Sequence, residues 1–217
     1  MKKRNRIAER LASVYMTVKF SVIEAGYDSE IDWQENASFE SITESYFLKE
    51  AAWVILSSGM REIVIRQKFP KISTAFFEWE SAKRIVYNRE KCYKKAILHF
   101  GHSKKIDAII QVAKHVFENG FNNVCEEILK DGIQYIVKFP YMGPATSYHF
   151  AKNIGISVSK PDRHLKRIAK TVGYSCPKLM CEDIAQITGE KISVVDLILW
   201  RFATLNKNYL TYFCNSF

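Results

Sequence analysis

Along most of the chain, apolar positions recur at the three- and four-residue spacing of a helix face. In "KKIDAIIQVAKHVFENG", Ile106, Ile109, Ile110, Ala113, Val116 and Phe117 form such a stripe, and Gly120 is a natural C-terminal stop. Leu165, Ile168, Ala169 and Val172 repeat the pattern, as do Val194, Leu197, Ile198 and Phe202, with the apolar stem of Arg201 among them. The opening stretch "MKKRNRIAERLASVYMTVKF" sets basic residues before apolar ones, as a signal peptide does. Glu9, Arg10 and Lys19 interrupt its apolar run, however, while Ile7, Leu11, Val14, Tyr15 and Val18 keep helical spacing. The pattern predicts an amphipathic helix that stays on the protein. Strand signals are confined to the β-branched runs "REIVIRQ" and "IQYIVKF", which no hairpin dipeptide joins to a partner. The expected class is all-α.

Residues 27–46, "YDSEIDWQENASFESITESY", are acidic and polar and predict a loop or short turn at a boundary between lobes. No apolar run approaches the roughly 20 residues needed to cross a bilayer. With 217 residues, 47% of them hydrophobic, the chain is long enough to bury a substantial core. Its 32 Lys and Arg exceed its 23 Asp and Glu by nine, and the cations are spread along the whole chain. Such a field favours a polyanion, with nucleic acid ahead of an anionic membrane surface. The five cysteines form no CxxC pair and read as reduced thiols; Cys176 and Cys181 lie too far apart for a metal knuckle, and "HFGH" (His99, His102) reads equally well as a surface loop.

Two consecutive segments carry candidate chemistry. In "FPYMGPATSYHFAKNIG", an apolar piece ends at Phe139-Pro140, a turn runs through Tyr141, Met142 and Gly143, and Pro144 leads into a helix expected from Ala145 towards Asn153, stopped by Gly155. Amides at such a turn and first helical turn can bind a phosphate, although an ordinary helix–turn–helix connection has the same local sequence. In "SVSKPDRHLKRIAK", Asp162 stands just before a helix, where its carboxylate caps free amides at the positive end of the dipole. Arg163, His164, Lys166 and Arg167 surround it with cations.

Taken together, these segments resemble the signature of the helix-hairpin-helix (HhH-GPD) DNA glycosylase superfamily, which includes endonuclease III and the 8-oxoguanine glycosylases; "SYHFAKNIG" followed by "DRHL" is most similar to the archaeal and bacterial 8-oxoguanine branches. More weakly, "AAWVILSSGMREIV" resembles the second helix of the family's six-helix barrel and "ISVVDLILWRFA" its closing helix. The resemblance implies a two-lobed fold: a six-helix barrel lobe over residues 47–155, carrying the helix-hairpin-helix at about 128–153, and a second lobe built from 1–46 and 156–217. It also implies an enzyme that flips a damaged, mispaired or modified base from double-stranded DNA and hydrolyses its N-glycosidic bond. Asp162 matches the catalytic aspartate. Tyr141, Gly143 and Ala145 match positions whose amides hold the phosphate beside the flipped nucleotide, His164 matches a phosphate-contacting histidine, and Arg163 and Lys160 add cations for DNA. The carbonyls of Val137, Phe139 and Met142 match positions that bind Na⁺ or K⁺ in relatives, and no further cofactor is implied. Trp53, Tyr148 and His149 are nominated for the base pocket, with Trp200 or Phe202 beside them; core packing accounts for each as well.

Departures from the family pattern narrow this reading. Bifunctional relatives carry a lysine where this chain has Ala145, so a monofunctional enzyme that leaves an abasic site is expected unless Lys138 or Lys160 substitutes. Tyr141 replaces the first glycine of the hairpin, which would distort the turn or set a ring against DNA. The four-cysteine cluster of many relatives is missing, so no iron–sulfur cluster is expected. The residue that fills the gap left by the flipped base is unassigned, with Met60 and Arg61 as candidates after Gly59. The expected partner is DNA and not a membrane, the expected state a monomer, and the expected location the cytoplasm, on the nucleoid in a prokaryote. Three rivals remain: a non-catalytic DNA-binding module of the same fold, a glycosylase/AP lyase with a displaced lysine, and a basic protein of another fold that merely contains a helix–turn–helix.

Overall fold

The computed structural model describes residues 2–216, with side chains from Arg6 onward. All regular structure among the described residues is helical. The chain opens with α1 (Lys2–Glu24) and α2 (Asp28–Asn36). It continues through α3 (Glu44–Ser57), α4 (Glu62–Ala75), α5 (Ala82–Tyr87), α6 (Arg89–His99), α7 (Ser103–Asn119), α8 (Phe121–Asp131), α9 (Ile133–Ile136) and α10 (Thr146–Asn153). It closes with α11 (Arg163–Thr171), α12 (Pro177–Thr188), α13 (Ile192–Leu205) and α14 (Tyr209–Asn215). These helices form two compact units: one joins both ends of the chain, Met1–Ser38 and Gly155–Phe217, and the other is the middle, Phe39–Ile154. No described helix is long and apolar enough to cross a membrane.

The terminal unit is held by an apolar cluster in which Leu11, Tyr15, Val18 and Val22 of α1 meet Leu165 and Ile168 of α11, Met180 and Ile184 of α12, and Val194, Ile198 and Leu199 of α13. Each fully buried side chain of this size contributes roughly 1.5–3 kcal/mol. The segment "ISVVDLILWRFA" forms α13, which packs in this terminal unit, within the 156–217 stretch expected to build the second lobe. Lys191 just before it explains part of the placement, since its Nζ donates to the carbonyls of Glu35 (2.6 Å) and Ala37 (2.9 Å) at the end of α2.

A correction concerns residues 27–46. Much of this polar stretch is helical, because Asp28 and Glu30 sit in the first turn of α2, where the helix dipole favours carboxylates, while Ile31 and Gln34 turn into the unit. The division between units falls inside the stretch, after Ser38, earlier than the boundary at 46 and 47 that the sequence suggests. Both β-branched runs are also helical or lead into a turn: "REIVIRQ" begins α4, and "IQYIVKF" contributes α9 and the approach to the hairpin.

The middle unit contains six helices of eight residues or more and the two short ones, α5 and α9. Its centre is Phe47 of α3, fully buried, whose ring meets Phe121 at 5.7 Å, Phe139 at 6.1 Å and Phe150 at 5.0 Å, all edge to face. Such pairs contribute about 0.5–1.5 kcal/mol each beyond the area they bury. Helix α7 packs through Ile106, Ile109, Val112, Ala113 and Val116, and ends at Gly120, whose φ of 80° glycine adopts without steric penalty. Its apolar face is rotated from the expected one: Phe117 is exposed and pairs at the surface with Tyr87, while Lys105 is buried on the inner side.

Candidate functional site

Phe139 and Phe150 bracket the segment that the sequence singled out, and both anchor on Phe47, so the turn between them is fixed at its two ends. Met142, 1% exposed, pins its middle. The Met142 amide donates to the Phe139 carbonyl (3.1 Å), and Thr146 Oγ1 donates to the Tyr141 carbonyl (2.6 Å), closing a compact hairpin. At the far end of α10, Asn153 gives its Nδ2 to Glu50 (2.8 Å) and its carbonyl accepts from Tyr46 (3.3 Å). Desolvation raises the Glu50 carboxyl above the usual carboxylate range.

Tyr141 has φ of 64°, a left-handed conformation that costs an L-residue about 1–2 kcal/mol. The glycine-to-tyrosine replacement therefore leaves the turn in the geometry a glycine would take. Its ring lies edge to face with His102 at 6.4 Å and beneath the Lys105 ammonium, 5.7 Å from the ring centroid. Gly143 is different. Its φ is not positive, and a Cβ there would meet only Thr146 Oγ1 at 3.9 Å, so nothing inside the protein requires a glycine. The helix that follows starts at Thr146, one residue after the expected Ala145, which is its N-cap and offers no side-chain cap. The amides of Tyr141, Gly143, Ala145 and Thr146 donate to no acceptor among the described residues.

At the head of α11 the local chemistry is reversed. Asp162 is the N-cap in extended conformation, and its Oδ1 accepts from the amides of His164 (2.8 Å) and Leu165 (2.9 Å). Its Oδ2 accepts from no described residue. Burial of Leu165, Ile168 and Ala169 leaves Arg163, Lys166, Arg167 and Lys170 exposed, so the outer face of α11 is cationic. His164 is half-buried, with Nδ1 3.1 Å from the Tyr209 hydroxyl and Nε2 accepting from Arg163 Nε at 3.3 Å. With Nε2 as the acceptor, the neutral ring carries its proton on Nδ1 and donates it to Tyr209. Desolvation lowers the His164 pKa, opposed by the nearby Asp162 carboxylate and assisted by Arg163 and Arg167.

Sequence reasoning missed two supports. Asp196 of α13, 2% exposed, accepts the Lys160 amide at 2.5 Å, and the Lys160 carbonyl accepts the Asp162 amide at 2.8 Å, so a buried carboxylate fixes the loop leading to Asp162. A carboxylate inside "SVVDLILW" was its signal. Tyr209 was the other, and an aromatic so near the C-terminus gave no sign of meeting His164.

The base-pocket nominees fare unevenly. Trp53 packs edge-on against Phe69 (5.1 Å), and Arg66 lies 5.6 Å from its ring centroid, which makes it part of the α3–α4 packing. Tyr148 and His149 are half-buried on α10. Phe202 belongs to the terminal core, against Tyr212 and Phe213, and Trp200 is half-buried with Arg201 over its ring at 4.8 Å. Of the carbonyls assigned to a cation, that of Phe139 already accepts from Met142, whereas those of Val137 and Met142 accept from no described residue. These are neutral oxygen donors, which suit an alkali cation.

No model of a known protein family matches the chain, and no curated protein does. Among solved structures it is similar to the Methanocaldococcus jannaschii 8-oxoguanine glycosylase/lyase, determined in complex with 15mer DNA containing 8-oxoguanine. The TM-score is 0.57 over 90% of this chain and 98% of that one, at 17% identity. At this identity the likeness is one of fold: this chain shares the all-α fold of that protein.

Proposed function

We propose that the protein is a DNA N-glycosylase that flips a damaged, mispaired or modified base and hydrolyses its N-glycosidic bond. One observation carries the reading most directly: Asp162 is held by two amides through Oδ1 while Oδ2 remains uncommitted. A carboxylate positioned in this way can act at a cationic centre without moving first. The fold shared with a DNA glycosylase/lyase supports the same reading at a coarse level.

In this mechanism the free amides of Tyr141, Gly143, Ala145 and Thr146 bind a backbone phosphate, aided by the dipole of α10. The missing Cβ at Gly143 lets the phosphate approach the backbone closely. The cations of α11, with Lys160 and Arg163, attract the duplex and make binding salt-dependent. The carbonyls of Val137, Phe139 and Met142 would hold Na⁺ or K⁺, whose charge would reinforce phosphate binding. As the C1′–N bond breaks, its electron pair leaves with the base, and positive charge develops on the sugar. The Asp162 carboxylate stabilises that charge and orients a water whose oxygen bonds to C1′; the water gives up a proton, and the departing base gains one from solvent.

Ala145 provides no amine, so the product is an abasic site with an intact strand. The lyase alternative needs an amine from Lys138, whose Nζ lies 4.6 Å from the Tyr135 ring centroid, or from Lys160. The deciding experiment incubates the protein with duplexes carrying a panel of modified and mispaired bases and identifies the released base by mass spectrometry. Release by the native protein and its loss in Asp162→Asn is the expected result. Binding without release from any duplex would instead identify a non-catalytic module, and borohydride trapping on abasic DNA would identify a lyase.

A further inference from the structure

Lys105 is 3% exposed, yet no carboxylate among the described residues lies within ion-pair distance of its ammonium. Its charge is balanced instead by dipoles and a ring. Nζ donates to the carbonyls of Leu56 (2.8 Å) and Ser58 (2.5 Å), and Tyr141 offers its ring at 5.7 Å. The two carbonyls belong to the C-terminal end of α3, where carbonyls lack intrahelical donors and the dipole is negative. Directly after Ser58 the chain turns through Gly59, with φ of 69°, into the exposed Met60 and Arg61. On the other side, Tyr141 is the strained residue of the hairpin, in a conformation that gives its ring this particular direction.

A buried lysine with no counter-ion is poorly explained by stability alone, because replacing buried charge with apolar volume is often neutral or stabilising. Loss of rotamer freedom in so long a side chain adds a further cost. What the arrangement does achieve is geometric: one ammonium holds two loops that are distant in sequence.

We propose that Lys105 is a positioning residue that, through Tyr141, holds the exposed tip Gly59–Met60–Arg61 at a fixed distance from the phosphate-binding hairpin. The tip then enters the base stack wherever the hairpin has gripped the backbone. This rests on the glycosylase reading, and it adds to that reading a link between gripping DNA and opening it.

The test uses the Asp162→Asn chain, so that no chemistry intervenes, and a duplex carrying a tetrahydrofuran abasic-site analogue opposite 2-aminopurine. Fluorescence of the 2-aminopurine reports entry of the tip into the stack, and anisotropy reports overall binding. Lys105→Met is expected to lower the fluorescence gain at saturating protein about tenfold without lowering the melting temperature, and Tyr141→Gly to act in the same direction. The double variant is expected to lose no more than Lys105→Met alone, the mark of two residues acting as one link. Unchanged fluorescence in both single variants, or losses that multiply in the double variant, would overturn the link while leaving the glycosylase reading intact. A parent chain that binds the duplex without any fluorescence gain would also overturn the link, whereas the glycosylase reading falls only if no base is released from any duplex. If Lys105→Met does not fold, Tyr141→Gly carries the test by itself, since glycine relieves the left-handed strain.

Discussion

Two loop-to-helix junctions in this protein solve the same electrostatic problem in opposite ways. The head of α11 is satisfied from within: Asp162 caps two amides, and its loop is tied down by buried Asp196. The head of α10 is left open, since Ala145 has no capping group and four amides in and beside the hairpin donate to nothing described. The protein supplies an anion at one helix and leaves room for an anion at the other. An unmet helix terminus is a standing cost, and here the hairpin also carries a strained Tyr141, whose ring meets the atypically supported Lys105 of α7. The costs collect at the junction proposed to grip DNA, whereas the junction proposed to do chemistry is built for rigidity.

The contrast can be broken most severely at Asp162. Asn caps a helix about as well as Asp, so Asp162→Asn should keep its melting temperature and its duplex affinity while single-turnover base release falls by at least about 100-fold. Equal loss of affinity and release would mean that the two junctions are not functionally distinct. Next in size is Gly143→Ala. A Cβ there meets nothing tighter than 3.9 Å, so stability should hold or rise slightly, while affinity for the duplex falls about tenfold and its salt dependence becomes shallower.

Asp196→Ala should leave the half-buried Lys160 amide without this acceptor. Denaturant titration should show a loss of about 1–3 kcal/mol, and release should slow more than binding weakens. The smallest effect concerns pH. Burial lowers the pKa of both His115 and His164, with Glu118 opposing at the first and Asp162 at the second, so the unfolded chain takes up protons before the folded one. Stability should therefore be fully present above the ordinary histidine range near 6.5 and decline as pH falls through the lower folded-state values. His115→Gln and His164→Gln together should flatten the melting temperature between pH 7 and pH 5.

The local part of this design was open to reading from the chain. The apolar spacing in α7 and α11, the stop at Gly120, and Asp162 as a cap depend on neighbours within one or two turns, and short-range rules fix them. The same rules misled where tertiary burial outweighed composition. The polar segment at 28–36 became a helix once Ile31 and Gln34 could face the terminal core. A lysine at 105 on the inner face of an apolar helix, and an aspartate inside "SVVDLILW", were visible anomalies, but neither named its partner.

The sequence by itself determined the helical class, the placement of the hairpin between Phe139 and Phe150, the absence of an amine at position 145, and the position of Asp162 at the start of a helix. Helix periodicity, turn chemistry and capping act over a few residues, so the residues that cause these features lie beside them in the chain. Only the tertiary structure decided that Tyr141 would keep a glycine's conformation, that Lys105 would join it to the end of α3, and that Asp196 would brace Asp162. Those outcomes join residues about 34 to 49 positions apart. They exist only after the helices have packed, because a buried charge or a strained turn takes its partner from whatever packing brings within reach.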